Sequence, residues 1–308
     1  MDGNAMKIFI YIVFILCGVH TSVAQEKILL WPQGKMPNSK GMIVSDTIID
    51  GRLFQVGEPR VYVYPAAKEK NTGAAILIVP GGGYLRLTAD YSNIPIASYY
   101  QQQGISAFVV CHRMPASPDL EVPEIAPWQD IQRAMRIICA NAAKWGIDSN
   151  RIGIFGGSAG GHGASTLATH KEDISAIGDE LDCFSYTPAF MILLSPVISF
   201  ESPIVHEGSR DRLLRDNSSE ELIEFFSNEK HVTPDTPPAF LVHANDDKVV
   251  SPLNSIAFYQ ALKNAGVESS LHIFPYGGHR LGIGNCTGSA AVWPNLSIDW
   301  LKEMKFVE

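Results

Sequence analysis

The sequence predicts an α/β protein, a mainly parallel sheet with helices on both faces. Three observations carry this. Short apolar runs of strand length recur along the chain, and helical segments separate them. Three of those segments end in a glycine, Gly104, Gly146 or Gly266, that leads straight into the next strand region. Helices commonly stop at a left-handed glycine, so the chain reads as repeated helix, turn and strand units. Apolar strands alternating with helices imply a sheet buried on both sides.

In chain order, "LWPQGKMPNSKG" is rich in Pro, Gly and Asn and reads as an extended arm. "RVYVY" (Arg60 to Tyr64) alternates as an outer strand does. "AAILIV", "ISAFVV", "RIGIF", "AFMILL", "PAFLVHA" and "SSLHIFP" follow as buried strands. The rhythm runs from about Arg60 to Pro275 without a linker, so residues 25–308 are expected to form one domain. A polar insertion at about 201–235 interrupts it. Within it, "SSEELIEFF" has a capping-box pattern, Ser218 with Glu221, and predicts a short helix. Lying past a parallel strand, the insertion falls on the edge where α/β folds bind ligands. It reads either as surface decoration or as a lid or substrate-binding segment.

Composition narrows the function. With 308 residues, 46% of them hydrophobic, the chain can bury a large core. A net charge of −8 without any basic run argues against nucleic-acid or anionic-membrane partners. The N-terminus reads as a signal peptide over residues 1–24. Lys7 precedes the apolar run Ile8 to Val19, which is too short to span a bilayer comfortably, and Ser22-Val23-Ala24 offers a cleavage site. Export to the periplasm or the extracellular space is expected, with a retained anchor as the alternative. Lipidation at Cys17 is disfavoured by Leu16 before it. Cys111, Cys139, Cys183 and Cys286 are widely spaced, indicating neither a zinc site nor a disulfide framework. They are expected to be buried thiols, with a disulfide as the alternative that export would permit.

The chemistry centres on "RIGIFGGSAGGHGAST". Gly156 to Gly160 match G-x-S-x-G between a strand and a helix, the setting of a nucleophile elbow that exposes Ser158 at the sheet's C-terminal edge. The stretch lacks the Lys-Ser/Thr pair of a phosphate loop and the glycine spacing of a dinucleotide fingerprint. A serine hydroxyl needs a base, and the base needs an orienting carboxylate. "PAFLVHA" runs into Asp246 and Asp247, and "SSLHIFP" runs into a Gly-rich loop carrying His279, so acid and base follow the serine in the expected order. His243 and His272 lie in apolar strand patterns and read as core histidines, while His162 reads as packing the helix after the elbow. Gly81, Gly82 and Gly83 directly follow the first buried strand. Their N–H groups, with that of Ala159, are candidates for an oxyanion hole.

Together with "AKWGIDSNRIGIFGGSAGGH", "TPPAFLVHANDDKVV" and "FPYGGHRLGIG", these motifs make the chain resemble the α/β-hydrolase superfamily. Within it, the chain is similar to the secreted bacterial esterases of the acetylxylan-esterase type. The resemblance covers nearly all of the chain after the signal. It implies an α/β-hydrolase fold with Ser158 as nucleophile, Asp247 rather than Asp246 as acid, and His279 as base. No metal or organic cofactor is implied. The substrate implied is an acetyl ester on plant polysaccharide, with feruloyl esters second. The chain departs from the family pattern at Ala244, Ser251 and Arg280, and Arg280 beside the base is expected either to bear on its protonation or to contact a polar substrate. Tyr84, Trp128 and Trp293 are candidates for stacking on sugar rings or for core packing. Asp130, Arg133 and Arg136 share a helical spacing and are expected to form a structural ion pair near a helix start. Two rivals are a prolyl-oligopeptidase-like peptidase, whose usual β-rich domain has no counterpart here, and a non-catalytic binding protein on a hydrolase shell.

Overall fold

A computed structural model describes residues 26–88 and 94–308, so the proposed signal peptide lies outside the described residues. In chain order the strands are β1 (Lys27–Leu29), β2 (Thr47–Ile49), β3 (Arg52–Gln55), β4 (Arg60–Tyr64), β5 (Ala75–Val79), β6 (Ser106–Cys111), β7 (Ile152–Gly157), β8 (Met191–Leu194), β9 (Ala239–Ala244) and β10 (Ser269–Phe274). β2 and β3 form a separate hairpin. The others form one sheet ordered β1-β4-β6-β5-β7-β8-β9-β10. Pairing is parallel from β6 to β10, and β4 and β1 add antiparallel at the edge beyond β6.

Side-chain alternation along β5 shows why the strands are apolar throughout. Ala75, Leu77 and Val79 join the core on one face, together with α2 (Ala126–Ala140), α3 (Ala159–Thr169) and α6 (Leu253–Asn264). Ile76 and Ile78 join the core on the other, with α1 (Ile94–Gln102) and α7 (Trp293–Glu303). The glycines expected to end helices, Gly104, Gly146 and Gly266, all have positive φ, at 80°, 63° and 76°. β10 departs from expectation. It is the edge strand, paired only with β9, and its residues are half-buried or exposed rather than buried.

The polar residues of α2 also differ from the sequence reading. Asp130, Arg133 and Arg136 do not pair with one another. The Asp130 carboxylate accepts from the Arg113 backbone N–H at 2.6 Å, the Arg113 guanidinium at 2.9 Å and Trp31 Nε1 at 2.8 Å. Arg133 pairs with Asp179, and Arg136 with Asp173 at 2.6 Å. The helix thus ties down the N-terminal arm and the segment before β8. Asp130 is 0% exposed and Arg113 1%, so removing one partner strands a buried charge. Asp130→Ala is expected to cost roughly 3–5 kcal/mol in urea unfolding. A loss below about 1 kcal/mol would mean that water reaches the Arg113 guanidinium.

Two smaller expectations are corrected. The helix inside the insertion, α5 (Glu220–Phe225), is capped by Ser219, whose Oγ accepts from the Leu222 N–H at 3.3 Å, while Ser218 Oγ turns back to the Arg215 carbonyl. Of the four cysteines, Cys111 and Cys139 are buried, but Cys183 is exposed and Cys286 only half-buried. Cys183 ends a single helical turn, where its side chain does not reach the core.

Candidate active site

Four consecutive parallel strands, β7 to β10, and β5 on their other flank bring their C-terminal ends to one edge. Ser158, Asp247, His279, Gly82 and Gly83 each lie past one of those ends.

Ser158 joins β7 to α3 at φ 56° and ψ −127°, a conformation a residue with a Cβ rarely adopts. Surrounding hydrogen bonds hold it there. Its N–H donates to the Leu194 carbonyl at 3.0 Å, and its carbonyl accepts from Val197 at 3.0 Å and Gly161 at 2.9 Å. The flanking glycines are a steric requirement. A Cβ on Gly156 would lie 2.2 Å from the Gly160 carbonyl oxygen, and one on Gly160 would lie 2.2 Å from that of Val79.

The partners predicted from sequence meet the serine across long chain separations. His279 Nε2 is 2.8 Å from Ser158 Oγ, and His279 Nδ1 is 2.7 Å from Asp247 Oδ2. A carboxylate only accepts, so Nδ1 carries the proton and the Nε2 lone pair faces the serine hydroxyl. Asp247 Oδ1 accepts from the N–H groups of Val249 at 2.8 Å and Val250 at 3.0 Å. Burial alone would push the Asp247 carboxyl up. The imidazoles of His243 and His279 beside it outweigh that and hold it well below the usual carboxylate range. The neighbouring carboxylate has a different job: Asp246 Oδ1 accepts from Gly278 N–H at 2.8 Å, bracing the loop that carries His279.

Past β5, Gly81 packs on the elbow, where an added Cβ would meet the Gly157 carbonyl at 2.7 Å and Ser158 Cβ at 3.3 Å. Gly82 and Gly83 turn with φ of 135° and 65°. The N–H groups of Gly82, Gly83 and Ala159 have no acceptor among the described residues. The Gly83 carbonyl accepts from Arg212 Nη1 at 3.3 Å. Arg212 lies on α4 (Glu207–Leu214), inside the insertion.

The insertion therefore belongs to the site's surroundings. Leu213, Leu214 and Phe226 share a buried cluster with Tyr84, Ala159 and Val250. His206, which sequence reading did not single out, caps α4 by accepting from Ser209 N–H. Burial first, then the nearby His279 and Arg212, push its imidazole down. No local pattern marked His206 or Arg212. Their placement follows from how the insertion folds back over the sheet edge.

The other candidates are structural. Tyr84, Trp128 and Trp293 are all buried, so core packing is the outcome for each. His162 Nε2 donates to the Phe226 carbonyl at 2.8 Å, its Nδ1 accepts from Tyr84 Oη at 2.8 Å, and its ring stacks on Phe200. Burial pushes this imidazole down to about 4. The unfolded chain binds the proton near pH 6.5, so His162 contributes stability that is complete above that pH. The contribution is lost as pH falls through 6.5 toward 4 and amounts to on the order of 3 kcal/mol. Urea unfolding at pH 7 and pH 4.5 is expected to show the loss, and His162→Gln to reduce it. An unchanged pH dependence in that variant would overturn the assignment.

A family model described as BD-FAE matches residues 61–262. The chain belongs to the BD-FAE family of α/β hydrolases. It is 35% identical over 220 residues to an acetylxylan esterase of Xylanibacter ruminicola, covering 70% of this chain and 42% of that protein. It is 33% identical over 210 residues to endo-1,4-beta-xylanase B of Butyrivibrio fibrisolvens, covering 68% of this chain and 33% of that protein. The chain thus spans less than half the length of these two relatives. Among solved structures, an acetyl ester-xyloside bifunctional hydrolase from Caldicellulosiruptor lactoaceticus superposes with a TM-score of 0.79. It is 33% identical, with 92% of this chain and 98% of that one covered. Among the described residues of this BD-FAE member, no helix is long and apolar enough to cross a membrane.

Proposed function

We propose that this protein is an exported serine esterase that removes acetyl or other small acyl groups from plant polysaccharide such as acetylated xylan. The observation that carries the reading is the unbroken relay Ser158 Oγ, His279, Asp247, with contacts of 2.8 Å and 2.7 Å. Ser158 Oγ attacks the ester carbonyl carbon as its proton passes to His279 Nε2. Asp247 keeps the imidazole in the required tautomer and stabilises the imidazolium that forms. N–H groups of Gly82 or Gly83 and Ala159 stabilise the tetrahedral oxyanion, a contribution of about 3–4 kcal/mol per donor in other enzymes. Collapse breaks the ester C–O bond, and the leaving alcohol takes the proton from Nε2. Water then attacks the acyl-enzyme by the same relay in reverse, releasing the acid and restoring Ser158.

The relatives described as an acetylxylan esterase and an acetyl ester-xyloside hydrolase support the acetyl and xylan assignments. The apolar run Ile8 to Val19 followed by Ser22-Val23-Ala24 supports export with cleavage after Ala24. The test is acetate release from acetylated xylo-oligosaccharides, with Ser158→Ala as control. Release that vanishes in the variant is the expected result. Cleavage of p-nitrophenyl acetate without such release would sink the xylan assignment. Failure on both substrates, with no labelling of Ser158 by a fluorophosphonate, would favour a non-catalytic binding protein.

A further inference from the structure

His243, on β9, is 0% exposed and has both ring nitrogens engaged. Nδ1 is 2.8 Å from Ser255 Oγ on α6. Nε2 is 3.1 Å from the Val250 carbonyl oxygen and 3.3 Å from Asp247 Oδ2. A carbonyl and a carboxylate only accept, so Nε2 carries the proton and the Ser255 hydroxyl donates to Nδ1. The consequence is specific. Asp247 Oδ2, the oxygen that receives the His279 Nδ1–H, also lies 3.3 Å from the Nε2 of a second imidazole, whose own hydrogen bond goes to the Val250 carbonyl.

We infer that His243 is a positioning residue of the active site: its Nε2–H holds Asp247 Oδ2 in place and withdraws part of the negative charge on which His279 draws. The inference rests on the catalytic reading above. An N–H dipole close beside a carboxylate in a buried site stabilises the ionised form of the acid. Removing that N–H leaves the His279 Nδ1–H as the only side-chain donor beside Asp247 Oδ2 among the described residues. A buried imidazole is costly unless both nitrogens are satisfied. Here Ser255 supplies one partner and the Asp247 loop supplies the others.

The remaining charged or titratable groups around the pair act from other elements. Asp246 engages the Gly278 N–H, His206 and Arg212 approach from the insertion, and Arg280 follows the base in the chain. None of them hydrogen-bonds Asp247 Oδ2.

The experiment uses the full chain with 15N-labelled histidine, with the His279 imidazole signals identified by their loss in His279→Asn. Titration followed by NMR is combined with the pH profile of kcat/KM on p-nitrophenyl acetate. In His243→Leu the midpoint of the His279 titration is expected to rise by about half a pH unit, and the acid limb of the profile to rise with it. His243→Gln, whose amide N–H can replace the donor, is expected to restore most of the difference. Ser255→Ala keeps the imidazole but removes the group that fixes its tautomer. It is expected to give a smaller shift in the same direction, and it serves if His243→Leu fails to fold. Midpoints within about 0.1 unit of the wild type, together with a lowered Tm, would reduce His243 to packing and overturn the inference. The NMR midpoint needs no turnover. A wild-type protein inactive on every ester would therefore remove the esterase reading while leaving the coupling of His243 to His279 separately measured.

Discussion

Ser158→Ala is expected to lower kcat on p-nitrophenyl acetate by about 10⁴- to 10⁶-fold. The size follows from what remains. Without Oγ no acyl-enzyme can form, and His279 Nε2 loses its 2.8 Å partner and can only activate water that it does not position. The N–H groups of Gly82, Gly83 and Ala159 would still polarise a carbonyl, so some acceleration over the background should survive. The fold should not suffer. Serine and alanine carry the same backbone cost at φ 56°, and the hydrogen bonds that hold this turn come from the main chain. Stability is expected to change by less than about 1 kcal/mol. An alanine variant that keeps more than about a hundredth of the activity would exclude Ser158 as the nucleophile.

The second large effect separates two adjacent carboxylates. Asp247→Asn is expected to cost about 10⁴-fold in kcat, the scale seen when the same change is made in an unrelated serine hydrolase. An asparagine amide facing His279 Nδ1 can donate to it, which drives the ring proton to Nε2. The lone pair that should accept the Ser158 proton is then lost, with the geometry otherwise intact. Asp246→Asn should cost tenfold or less, because its side-chain oxygen can still accept from Gly278 N–H and brace the loop. Equal losses in the two variants would overturn the division of labour between them. A larger loss at position 246 would move the acid there.

These expectations rest on features of unequal visibility. The strand runs, the glycine stops and the elbow were legible because each is local. Gly104, Gly146 and Gly266 sit where the backbone turns left-handed, and Gly156 and Gly160 sit where a Cβ would strike a carbonyl of the same turn or of the adjacent strand β5. Such constraints act over a few residues and leave a mark on residue type. The choice between Asp246 and Asp247 was visible only by resemblance. Both follow the same strand, and only the approach of a loop 32 residues further on distinguishes them.

The sequence alone determined the α/β class, the order of its strands along the chain and the identity of Ser158 and His279 as candidates. The tertiary structure decided the rest. It set Asp130 against Arg113 and Trp31 instead of its helical neighbours, and it buried Tyr84, Trp128 and Trp293. It also brought the insertion's His206 and Arg212 to the site and placed His243 beside the Asp247 carboxylate. The physical reason is common to all of these. Local backbone geometry restricts residue type directly. A contact between distant residues depends on strand order and on the packing of whole elements, and many residue types satisfy it equally well until the sheet has formed.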